Sequence, residues 1–159
     1  MNNSKITIIL IVLISIVLFV LGLFLFGNIY EILLPKPDNG FYQETASGGQ
    51  FKRSLIFAVV FGLTPIFIWA TWRLAPITLK LQKNYTILTV IVCILLAVVL
   101  RQQLLKLYFS RFTNNINSTT ANLHVGYPID KVYFEYYMFG GLIMGCLISY
   151  LLFRQRKTY

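Results

Sequence analysis

Charge is what this sequence has least of. Only 12% of its 159 residues are Asp, Glu, Lys or Arg, and five of those are acids. A soluble domain of this length carries about a quarter charged residues, which keep its surface in water. Half that share argues against a water-facing globule and for a surface that meets lipid. Metal-binding and redox residues are equally scarce: one histidine, His124, and two cysteines, Cys93 and Cys146. A histidine-based metal centre needs further ligands, and the chain has neither H-E-x-x-H nor C-x-x-C to supply them. The connecting segments hold no cysteine, so no disulfide can staple them. There is no P-loop, no G-x-S-x-G and no paired-carboxylate spacing. No internal repeat is visible, so the inverted-repeat pointer of secondary transporters is missing. These absences leave no expected cofactor, no metal and no catalytic residue.

What the chain does have is long apolar runs, with 57% hydrophobic residues overall. Four are free of charge: Ile6–Tyr30, Leu55–Trp72, Tyr85–Leu100 and Tyr136–Phe153. A bilayer core of about 30 Å needs about 20 helical residues at about 1.5 Å each. The first run is long enough to cross with tilt, and the second and fourth just reach. The third becomes long enough when continued through "RQQLL" to residue 105, with Arg101 expected to snorkel to the headgroups. The runs are continuous and do not alternate, so helices are expected, because a helix satisfies its own backbone in lipid. The fold class is therefore an all-α integral membrane protein: a bundle of four transmembrane helices with two extracytoplasmic loops. Its segments are helix one 6–30, loop 31–54, helix two 55–72, loop 73–84, helix three 85–105, loop 106–135, helix four 136–153 and tail 154–159.

The first run is too long for a signal-peptide core and lacks a small-x-small cleavage site after it, so it reads as a retained helix. Asn2, where myristoylation needs glycine, argues against a lipid anchor.

Fourteen Lys and Arg against five acids leave a formal charge of +9. The basic residues flank apolar runs and do not form one stripe, so they read as topology signals and not as a nucleic-acid surface. With both termini inside, Lys and Arg divide evenly between the two sides. Density decides the orientation. Arg73, Lys80 and Lys83 crowd the short second loop, and Arg154, Arg156 and Lys157 crowd the tail. Both loops on the other side dilute theirs. Proximity to the membrane carries the weight in this rule, so both termini are placed in the cytoplasm, in a bacterial inner (plasma) membrane.

Trp69, Trp72 and Arg73 read as an interfacial anchor at the cytoplasmic end of helix two, and Tyr136 and Tyr137 as part of an aromatic belt at the other face. Pro65 should kink helix two, with Thr64 available to compensate. The segment "RQQLLKLYFSRF" either extends helix three or lies in the interface as an amphipathic piece. Beyond it come a polar stretch with one glycosylation sequon at Asn117, and Asp130 as a candidate N-cap of helix four. Glu31 and Glu135 read as surface residues marking helix ends. Cys93 and Cys146 lie inside apolar helices and read as small hydrophobes.

Small residues supply the remaining pattern. Gly141, Gly145 and Ser149 sit four apart and share one face of helix four. Ala58 and Gly62 make a shorter pair on helix two, and helix one has Ser15 and Gly22. In lipid, helices gain nothing hydrophobic by meeting, so association relies on close backbone approach at such residues. The groove on helix four is expected to hold another helix of the bundle, with Leu142, on a neighbouring face, the less sensitive position.

The functional expectation is a small multi-pass membrane protein, a non-enzymatic structural or accessory subunit of a larger envelope complex. Its partners would be the lipid bilayer and either a membrane-protein partner or further copies of itself, with no nucleic acid. The alternative is an oligomeric channel or transporter subunit, its path lined by Ser15, Thr64, Thr86, Thr89 and Ser149. An intramembrane enzyme is disfavoured by the lack of convergent polar residues.

The topology is testable by single-cysteine labelling of intact cells, in a background without Cys93 and Cys146. A membrane-impermeant reagent should reach a cysteine at Ser118 and miss one at Thr158. The opposite pattern would reverse the orientation.

Overall fold

The computed structural model describes residues 3–33, 49–75, 77, 79–116 and 133–154. They form four helices: α1 Asn3–Leu33, α2 Gly49–Leu74, α3 Lys80–Ile116 and α4 Phe134–Phe153. Each is long and apolar enough to cross a membrane. Each also runs beyond its charge-free stretch. Helical geometry does not stop where hydropathy stops, so Arg53 and Glu135, read as loop residues, are helical, as is Arg101. The segment after Arg101 continues α3 without a break as far as Ile116. Asn117, His124, Asp130, and the labelling positions Ser118 and Thr158, lie outside the described residues. The N-cap of α4 is Tyr133, whose side chain makes no capping bond.

The bundle is two helical hairpins. Helix α1 packs along α2, α3 packs along α4, and the hairpins meet mainly across α2 and α4. The link between α2 and α3 is short, and two backbone bonds close it. Ala75 N–H donates to the Thr71 carbonyl at 2.9 Å and Ile77 N–H to that of Trp72 at 3.1 Å.

Small residues stand where the helices of each hairpin approach. A β-carbon on Gly22 would lie 2.9 Å from the Ala58 Cα, and one on Gly62 would lie 3.1 Å from the Ser15 carbonyl oxygen. In the second hairpin a β-carbon on Gly141 would lie 2.7 Å from both the Cys93 carbonyl oxygen and the Ile94 Cα. On Gly145 it would lie 2.7 Å from the Val90 Cα. In each case the obstacle is backbone, which cannot swing aside as a side chain can. Ser149 is fully buried on the same face.

Between the hairpins lies an aromatic core. Phe26, Phe57 and Phe134 bring α1, α2 and α4 together with ring centroids 5.6–5.9 Å apart. Leu142 belongs to this core, with none of its surface exposed. Leu142 is therefore a packed position too, beside the glycine stripe. The face of α4 beside the glycine stripe meets α2 and is not free to face lipid. The outward faces, above all on α1 and α3, expose Leu, Ile, Val and Phe along their length.

Pro65 sits inside an unbroken α2. The Thr64 hydroxyl donates to the Val60 carbonyl at 2.9 Å. It therefore doubles a bond on the neighbouring carbonyl and does not serve that of Phe61, the one four residues before the proline.

Adjacent glycines test the close approach. A β-carbon on Gly140 would have nothing within 4 Å, whereas one on Gly141 would meet backbone at 2.7 Å. Gly141→Ala should cost about 1–3 kcal/mol through forced separation of α3 and α4. Gly140→Ala should be neutral or gain up to about 1 kcal/mol from helix propensity. Thermal unfolding in mild detergent measures both. Equal midpoints would show that the stripe is not a contact.

Candidate functional site

The charged residues that the helices carry inward gather at one end of the bundle. Arg53 is the fifth residue of α2 and Glu135 the second of α4. Both are buried, Arg53 at 6% exposure and Glu135 at 1%. They pair side-on: Arg53 Nε donates to Glu135 Oε1 at 2.9 Å, and a terminal guanidinium nitrogen reaches Oε2 at 3.4 Å. Two parallel bonds of this kind fix orientation as well as distance. The pair also matches the helix ends unequally. A carboxylate in the first turn of α4 faces the positive end of that helix dipole, while a cation near the start of α2 is unfavourable without its partner.

Aromatic rings close around the guanidinium. Its central carbon lies 4.6 Å from the Tyr30 ring centroid and 4.3 Å from that of Tyr133, with Phe26 and Phe134 at about 6 Å. Ring faces carry partial negative charge, so the cage compensates part of the lost hydration. Each ring comes from α1 or from α4 and its N-cap. The site exists only once both hairpins are in place.

Arg101 on α3 completes the cluster with a different partner. One of its terminal nitrogens donates to the Leu33 carbonyl at 2.8 Å, and Gln102 Nε2 donates to the same oxygen at 3.0 Å. Leu33 is the last described residue of α1, and the residue four places on, Pro37, has no N–H to donate to its carbonyl. Arg101 is 1% exposed. The snorkelling expectation is thus corrected. The side chain turns inward to cap α1, because a helix terminus offers it a directional acceptor that water at the headgroups would only approximate. Glu135 is corrected in the same way, from a surface marker to half of a buried ion pair.

The opposite end holds the tryptophans. Arg73 lies over the Trp69 ring at 5.1 Å, and Lys83 over the Trp72 ring at 5.5 Å. Lys83 and Arg101 are 18 residues apart on α3, about 27 Å along the axis. The two basic levels therefore stand about one bilayer core apart. Tyr136 is exposed and Tyr137 half-buried, near the end that holds Glu135, with Tyr136 5.9 Å from Tyr133.

The hydroxyls weighed as a pore lining do not converge. Those of Thr64, Thr86 and Thr89 donate to the carbonyls of Val60, Gln82 and Tyr85 in their own helices. Ser15 and Ser149 are buried at separate helix seams, on different hairpins. Cys93 and Cys146 are free thiols. Cys146 lies in the core, and Cys93 borders the Gly141–Gly145 stripe. Among the described residues no three His, Cys, Asp or Glu side chains gather to hold a metal.

The chemistry open to this arrangement is that of a clasp. Removing one partner strands a buried charge, at a typical cost of about 3–5 kcal/mol, while replacing both with apolar residues is often far milder. Arg53→Leu and Glu135→Leu should each lower stability strongly, and the double variant should be more stable than at least one single. A double-mutant cycle by thermal or denaturant unfolding in detergent reads the coupling. Additive effects would show that the two side chains do not depend on each other.

No protein-family model, no curated protein and no solved structure matches this chain.

Proposed function

We propose that the chain is an integral membrane protein of the bacterial inner membrane, with both termini in the cytoplasm. In this reading it acts without catalysis, as a structural or accessory subunit of a larger envelope complex. The membrane placement is supported by four apolar helices whose outward faces expose Leu, Ile, Val and Phe along most of their length. The basic and aromatic residues at two levels about 27 Å apart support it too.

The observation that carries the non-catalytic reading is the closure of the charged cluster. Arg53 and Glu135 direct their charges at each other inside a ring cage, and Arg101 commits hydrogen bonds to a helix terminus. A catalytic carboxylate or guanidinium must meet substrate, and these meet neighbouring helices. Such a cluster fixes the relative position of two hairpins, which is what a scaffold needs from its charged residues. The outward apolar faces are then available to lipid and to the helices of other membrane chains.

The test is purification of the tagged protein from its own membranes in mild detergent, followed by reconstitution. A discrete complex with partner chains at fixed stoichiometry, and no solute flux from liposomes containing the protein alone, is the expected result. A homo-oligomer that conducts ions or small solutes in liposomes would replace this reading with the channel or transporter subunit.

A further inference from the structure

At the tryptophan end the two hairpins do not close completely. A crevice of about 570 Å³ runs between α1, α2 and α3, within the volume range of small-molecule sites. Its walls are apolar, with Leu10, Ile14 and Leu18 from α1, Ile68 from α2 and Ile87 from α3. Its polar lining is uneven. Arg73 and Lys83 both line it, and no acid does among the described residues. Each of the two cations lies over an indole that also lines the crevice, Arg73 over Trp69 and Lys83 over Trp72. The Trp72 Nε1 is buried with no hydrogen-bond partner among the described residues, so the polar character of the mouth rests on the two cations.

These features fit one kind of occupant. An apolar slot about three helical turns long accepts a hydrocarbon chain, and two cations at its mouth accept a phosphate. We infer that the crevice binds an anionic phospholipid, with an acyl chain between α1 and α3 and the headgroup phosphate against Arg73 and Lys83. The inference rests on the membrane reading above and adds a ligand site to it. Charge complementarity selects this occupant over a zwitterionic lipid, whose own cation would meet Arg73 and Lys83. The acyl slot selects it over a free phosphate. Binding here would fill the gap that the hairpins leave at this end, opposite the ion-pair clasp.

The sequence supplies its own probe, because Trp69 and Trp72 are the only tryptophans in the chain and both line the crevice. The protein is reconstituted in vesicles of phosphatidylcholine, titrated with either phosphatidylglycerol or phosphatidylcholine carrying brominated acyl chains, which quench indole fluorescence on contact. Half-maximal quenching should need about thirtyfold less brominated phosphatidylglycerol than brominated phosphatidylcholine, the order expected for two basic residues meeting an anionic lipid. Arg73→Gln with Lys83→Gln should abolish that preference. Lys80→Gln with Arg154→Gln, which removes the same charge outside the crevice, should retain it. Soluble glycerol phosphate should not compete. Equal quenching by both lipids, or equal loss in both double variants, would overturn the site while leaving the membrane reading intact. Competition by glycerol phosphate would also overturn it, in favour of a free-anion site. Absence of quenching by either lipid would overturn the membrane reading itself.

Discussion

The Arg53–Glu135 pair is the constraint on which the bundle's arrangement turns. The pair spans the two hairpins, so Arg53 and Glu135 each meet an opposite charge only where the hairpins join. Glu135 at the start of α4 would face an apolar core, and Arg53 would sit in the first turns of α2 with the helix dipole against it. Joining the hairpins resolves both problems in one contact, and the Tyr30 and Tyr133 rings then close over the guanidinium. Register follows from this. A turn's slip of α4 against α2 would move the carboxylate about 5.4 Å, out of hydrogen-bond reach. Buried ion pairs seldom add much net stability, and their best-attested contribution is to exclude wrong arrangements. Arg101 does similar service for the end of α1, whose last carbonyl it shares with Gln102.

Within each hairpin the governing effect is different. On the membrane reading, two apolar helices have no water to escape from, so their association depends on how near the backbones come. Gly22 with Ala58 in the first hairpin, and Gly141 and Gly145 against Val90 and Ile94 in the second, set that distance. The two mechanisms divide the work by location. Small residues fix separation along the hairpin seams, and directional polar bonds fix the hairpins against each other at one end. The crevice opens at the other end, between α1, α2 and α3.

Much of the helical architecture could be read from hydropathy alone, because four long apolar runs in 159 residues leave little alternative. The charged cluster could not. A reading that sorts residues by span and loop puts Arg53 and Glu135 on the loop side of a boundary, since each lies one or two residues outside a charge-free run. The helices cross that boundary and take the charges with them. Nothing local distinguishes Arg101, which turns inward, from a snorkelling arginine at the same depth. The difference lies in the Leu33 carbonyl, 68 residues away in sequence. The burial of Leu142 was hidden for a related reason: the glycine stripe shows which face of α4 meets α3, but not that the hairpins also pack through α2 and α4. A signal was present for the cluster, in that Glu135 and Arg53 are opposite charges at ends that the topology brings to the same side.

The unequal demands on these positions bear on how such a chain diverges. On the membrane reading, lipid asks of the outward faces only that they be apolar, so Leu, Ile, Val and Phe can replace one another there with little effect. Gly141 and Gly145 have no such latitude, since even one methyl group would meet backbone at 2.7 Å. A distant relative built on the same plan would therefore share few identities with this chain, scattered singly along it: a glycine here, a paired arginine and glutamate there. Kinship of that sort is carried by spacing and geometry, and percentage identity is a poor instrument for detecting it.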